Sequence, residues 1–290
     1  MDYSTPAVPE VVRSLLGQDL VAPTPTAAAV AQAEVAAAAF QQEPGLEQTI
    51  WYGRRVAYLG QYQRAIAIYT TGLKRFPHAH QLYRHRGHRF ISIRQFERAI
   101  SDFRQAAALA ADQPVEIEPD GIPNAANRPL SNTHFNIWYH LGLAHYLRGE
   151  YQQAAEAYQT CMNYVDNDDG LTATTDWAVM TYRRLGDQRA VEQLLAKIHP
   201  DMHLIENHAY HRRLLLYKGL LAAEEIMAHD EQDPLTLVTH GYGVANWYLE
   251  QGAHQQALAI FEQILATSAW SAFGYIAAEV DVVRLRSAPR

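Results

Sequence analysis

The chain has 290 residues, 48% hydrophobic and 19% charged, with a formal net charge of −7. That composition supplies a core and argues against global disorder. The one cysteine, Cys161, rules out an internal disulfide and a multi-cysteine zinc site, and no apolar run approaches the roughly 18 residues a membrane helix needs.

The first residues, MDYSTPAVPEVV, carry an acid at position 2 and no basic stretch before an apolar core. No signal peptide is expected, and a cytoplasmic protein of bacterial type is. Residues 1–46 form an extension. Within it VAPTPTA reads as a linker or extended arm, and PTAAAVAQAEVAAAAFQQEP as an alanine-rich helix. No segment of the chain patterns as β-structure. Charge is unevenly placed: residues 1–50 sum to −5, residues 51–110 to +9, and residues 111–290 to −11. The central block favours anionic partners whatever the global charge.

From Thr49 the chain repeats itself. Gly53, Gly87 and Gly142 fall in register, and so do Tyr62, Phe96 and Tyr151. The same phase aligns Ala65, Ala99 and Ala154, then Tyr69, Phe103 and Tyr158. The glycine spacings are 34 and 55, the second being 34 with an insertion of 21. Each unit reads as two helices whose small residues permit close approach, with the aromatics filling the gap between neighbouring units. The insertion, about residues 111–132, holds four prolines and is a candidate lid or loop. Turn glycines at Gly149, Gly186, Gly219 and Gly252 mark later units. The fourth is TTDWAVMTYRRLGDQRAVEQLLAKIHP, the fifth a degenerate one beginning ENHAYHRR, and the sixth HGYGVANWYLEQGAHQQALAIFEQIL. The tail WSAFGYIAAEVDVVRLR has helical periodicity and would cover the last unit.

The 34-residue period with Trp138, Leu141 and Gly142, and with Ala65, Tyr69 and Pro77, resembles the tetratricopeptide repeat family. The resemblance implies an all-α, right-handed superhelical solenoid of about six helix hairpins. It divides the chain into the extension 1–46, a repeat array 47–266 and a C-terminal capping helix with tail, 267–290. It also implies a concave groove lined by set positions of each unit's first helix. Carried over, these give Arg54 and Tyr58; Arg84 and His88; Asn136, Tyr139 and Tyr146; Asp176, Arg183 and Arg184; Glu206, Arg213 and Tyr217; and Tyr242, Asn246 and Glu250, with His85, His140 and His208 as further candidates beside them. Arg86 falls where the family has leucine, so it should be partly buried with a carboxylate or carbonyl partner. Arg89 should point away from the groove.

The groove residues suit recognition of an anionic segment through charge-assisted bonds from Arg54 and Arg84. The carboxylate clamp of some family members is not met, since its positions hold Ile50, Arg54, His85, Asn136 and His140. The leading expectation is a non-catalytic protein- or peptide-binding module with an acidic partner. The alternative is a small-molecule or catalytic pocket built from the histidines, Asp176, Glu206 and Tyr139. A small anion would also fit. No catalytic residue, metal ligand or cofactor is assigned, because the histidine pairs match no strong metal motif. Nucleic acid is disfavoured by the acidic remainder of the chain, and no membrane partner is expected. Cys161 should be a buried structural thiol.

Overall fold

The structure, a computed structural model, describes residues 10–228 and 233–287. The chain divides into two compact units, one ending at Val115 and one beginning at Glu116.

The first unit opens with a small antiparallel hairpin, β1 (Val11–Arg13) and β2 (Asp19–Val21), which the sequence pattern did not announce. Strands this short carry no readable alternation; the hairpin is held by its turn, where Ser14 Oγ accepts from the amides of Leu16 and Gln18 at 3.2 and 2.9 Å. Helix α1 (Ala27–Gln42) follows, capped by Thr26, whose hydroxyl accepts from Ala29 N. Two antiparallel pairs complete the unit: α2 (Leu46–Tyr58) with α3 (Tyr62–Arg75), and α4 (His80–Ser92) with α5 (Phe96–Ala110). Glu10 accepts from the amides of Gln63 and Arg64 at 2.7 and 2.9 Å, satisfying donors at the start of α3.

The second unit begins with an extended segment closed by a bridge between Ile117 and Asn132. It continues through α6 (Thr133–Arg148), α7 (Tyr151–Cys161), α8 (Asp168–Leu185), α9 (Gln188–Leu195), α10 (His208–Tyr217), α11 (Ala223–Met227), α12 (Pro234–Glu250) and α13 (His254–Leu265). Among the described residues the pair α10/α11, the degenerate unit of the sequence, is the shortest. Helix α14 (Phe273–Ser287) covers the last pair but does more than cap it. Every residue from Gly274 to Val282 is buried, and the helix packs on α12, α13 and α6.

The repeat register has a direct physical reading. A Cβ on Gly142 would stand 2.6 Å from Tyr158 Cε1, and one on Gly87 would stand 3.0 Å from Phe103 Cζ. Tyr69 occupies the same place over Gly53. The aromatic therefore lies on the glycine of its own pair, and Tyr69 also reaches the next pair, where His85 stacks on it. At the turns Gly60, Gly149, Gly186, Gly219 and Gly252 all have positive φ, and Arg94 adopts φ 62° at the equivalent turn of the second pair. Cys161 is fully buried, and burial pushes its thiol up to about 12.

Arg86, standing where leucine was expected, does find a carboxylate. Its Nε and Nη2 donate to the two oxygens of Asp102, both at 2.7 Å, and its Nη1 donates to Thr70. Both side chains are largely buried, at 17% and 7% exposure. Asp102→Ala strands that guanidinium, and urea titration should register a loss of about 3 kcal/mol. The double change Arg86→Leu/Asp102→Leu should return close to wild type, because leucine suits the position. A large loss in the double variant would count against this account.

Candidate ligand-binding surfaces

In the first unit the cationic side chains of α2 and α4 gather on one aromatic. Tyr69 is buried, which pushes its phenol up, while Arg89, Arg54 and Arg84 oppose that rise. Three guanidinium groups thus act electrostatically on one phenol. Arg89 belongs to this group; it was expected to point away, but it turns towards α3, with its guanidinium also 5.6 Å from the Tyr62 ring. Arg54 lies 4.6 Å over Trp51. Arg84 and His85 are 7% and 6% exposed, more enclosed than a groove position implies. Their side chains meet at 3.1 Å, and His85 stacks on Tyr69 at 5.9 Å. Tyr58 and His88 are half-buried.

In the second unit, residues expected on an open groove are instead interior. Asp176, Arg213, Tyr242 and Asn246 are all at most 1% exposed. The reason is local. Gly243 leaves room for the Arg213 stem against α12, where any Cβ would collide with it. Arg213 Nη2 then reaches Asp176 Oδ2 at 2.8 Å. Burial pushes the Asp176 carboxyl up to about 7, while Arg213 and Arg183 oppose the rise. Arg183 is half-buried and lies 4.3 Å over the Tyr217 ring.

Helix α14 completes the enclosure. Tyr242 donates to Asp281 Oδ2 at 2.9 Å, so its oxygen is left to accept from Tyr146 at 2.8 Å. Asn246 donates in turn to Tyr146 at 3.2 Å, and Arg184 donates to Asp281 at 3.0 Å. Arg284 donates to the carbonyl of Leu147 at 3.0 Å and to the Tyr151 hydroxyl at 2.8 Å. A cation there complements the carbonyl end of α6.

The remaining expected residues fall into two groups. Asn136, Tyr139, His140 and Glu206 come together on a cleft of about 170 Å³. His208 is exposed on α10 and does not line that cleft. The sequence reading missed Asp120, Asp169 and Tyr210, which also line it. Asp169 lies in the first turn of α8. It holds another segment in place: its oxygens accept from the amides of Ile205, Glu206 and Asn207 at 2.8–2.9 Å. The Asp120-Gly121 pair inside the proline-rich insertion was the only signal available for that side of the cleft. Among the described residues no helix is long and apolar enough to cross a membrane.

Comparison with known proteins adds a family match and two structural likenesses. Residues 135–168, spanning α6 and α7, match the model of the tetratricopeptide repeat. A tetratricopeptide repeat protein from Parabacteroides merdae is 14% identical, with 87% of this chain and 92% of that one covered and a TM-score of 0.50. YrrB, a TPR protein with an unusual peptide-binding site, is also 14% identical, with 80% and 92% covered and a TM-score of 0.42. The first likeness speaks for the fold alone, and the second carries no argument about this chain. No curated protein matches.

Proposed function

We propose that this chain, a member of the tetratricopeptide repeat family, works as a non-catalytic protein-binding module whose first unit receives an acidic or carboxylate-bearing segment. What supports this is the set of arginines on α2 and α4, with Arg54 over Trp51, Arg84 against His85, which stacks on Tyr69, and Arg89 over Tyr62. Arg84 sits enclosed against His85, so less side-chain freedom is lost when it binds an anion. Tyr58 and His88 would flank the segment. The unit as a whole agrees, with twelve basic and nine acidic residues up to Val115. A carboxylate held by two arginines gains charge-assisted, geometrically specific bonds, each worth roughly 1.5–3 kcal/mol.

The test uses a fluorescent glutamate-rich peptide and its glutamine counterpart, titrated by anisotropy. The glutamate peptide should bind and weaken steeply with salt, and Arg54→Gln should weaken it about tenfold, corresponding to about 1.4 kcal/mol. Arg54 is only half-buried, so the variant keeps the fold. Equal binding of the glutamine peptide would remove the basis for the reading.

A further inference from the structure

The second unit has the opposite electrostatic character. From Glu116 onward there are twenty-two acidic and twelve basic residues. The cleft of about 170 Å³ concentrates that character. Carboxylates reach it from three separate segments: Asp120 from the insertion, Asp169 from the first turn of α8, and Glu206 from the turn before α10. None of its lining side chains is a lysine or arginine. Its other walls are aromatic, from Phe135, Tyr139 and Tyr210. Phe135 and Tyr139 stack on one another at 5.5 Å.

The two rim carboxylates are placed by the fold. Asp169 spends its oxygens on three backbone amides and thereby fixes the turn that carries Glu206. Glu206 Oε1 accepts from Asn124 Nδ2 at 2.6 Å, which ties the insertion to the same rim. Behind the aromatic wall the polarity continues. Tyr158 is 1% exposed, and its hydroxyl has no hydrogen-bond partner although it lies close to Tyr210 and Asp176. The phenol of Tyr139 is pushed up by burial, and by Tyr210, Tyr158 and Asp176 nearby. The surroundings thus disfavour any further negative charge and supply acceptors.

We infer that this cleft binds an organic cation about the size of one side chain, an ammonium or guanidinium group. Asp120 and Glu206 supply the counter-charge, and Phe135, Tyr139 and Tyr210 supply ring faces for the attached carbon chain and the cation itself. The volume is below that of drug-sized ligand pockets, which run from about 300 Å³ upward, so it suits a single residue or a small amine. The chemistry is the same whether the group is a free amine or a lysine or arginine side chain of a peptide.

The test titrates the full chain, by isothermal calorimetry and by NMR shifts, with agmatine, with n-butylamine, and with a capped lysine tripeptide. The acetyl-lysine tripeptide and n-butanol serve as neutral counterparts. Glu206→Gln is the informative variant, because glutamine keeps the acceptor for Asn124 and removes only the charge. Asp120→Asn is its companion. We expect cations to bind, neutral counterparts to bind at least tenfold more weakly, and each variant to weaken the cation about tenfold. Binding by the tripeptide alone identifies a peptide side-chain site; binding by agmatine or butylamine identifies a site for free amines. Neutral counterparts binding equally well, no binding by any cation, or unchanged affinity in both variants would each overturn the inference. Binding of the glutamate peptide at the first unit should be unaffected by Glu206→Gln, so the two proposals fail separately.

Discussion

Arg213→Met is expected to lower stability by about 4 kcal/mol at pH 8, and by clearly less at pH 5. The side chain is 1% exposed and holds Asp176 at 2.8 Å. Removing one member of a buried ion pair typically costs about 3–5 kcal/mol, since the other is left without compensation. The pH dependence follows from Asp176. Burial raises its carboxyl from the ordinary 3.8 to about 7 in the folded chain. A carboxyl that holds its proton more tightly when folded adds stability fully below the unfolded value and loses it as pH rises through the folded one. Removing Arg213 takes away a cation that opposed the rise, so the protonated window extends further up in the variant. At pH 5 the variant therefore buries a neutral acid, and at pH 8 a bare carboxylate. Guanidinium titrations at the two pH values measure this, and Arg213→Met/Asp176→Leu should recover most of the loss at pH 8. Equal losses at both pH values would contradict the role given to Asp176.

Gly142→Ala should cost about 3 kcal/mol, although alanine is the better helix former by about 1 kcal/mol. The added methyl would meet three atoms of the Tyr158 ring at 2.6–2.8 Å, and that ring is buried. Gly87→Ala should cost less, because its methyl would meet Phe103 at 3.0–3.2 Å. Gly142→Ala/Tyr158→Leu should be more stable than Gly142→Ala alone. Thermal melts of these four chains give the order directly. If Gly142→Ala melted with wild type, the close approach of α6 and α7 would be refuted.

These two sites differ in how far the sequence announced them. The Gly142–Tyr158 contact was visible as a phase, because a glycine and an aromatic recurring together leave a periodic mark. Arg86 was visible for the opposite reason: it broke the pattern at a position where an unpaired charge would be costly. The Asp176–Arg213 pair was not visible as a pair. Each was recognised only as a groove position, and that assignment presumes a surface open to water. What closes it is the Gly243 gap and the return of α14, and neither leaves a periodic trace. The cleft was half legible. Asn136, Tyr139, His140 and Glu206 were each among the expected site residues, but Asp120 and Tyr210 join them only through the path of the insertion and the start of α10. Arg89 was misplaced because its direction depends on Tyr62 and Tyr69 of the preceding pair.

The contacts of Arg284 bear on how the second unit is made. Simple helical repeats gain stability by adding one pair to the next, so nucleation anywhere can spread. Here a side chain near residue 284 bonds to a hydroxyl and a carbonyl more than 130 positions earlier in the chain. Such a contact has a high sequence separation, and its loop-closure cost falls due before its reward. During synthesis α6 to α13 can form pairwise, but Tyr146, Tyr242 and Asp281 complete their relay only once α14 has emerged. The unit is therefore a ring in its energetics, cooperative from α6 to α14, rather than a ladder that can be shortened one rung at a time.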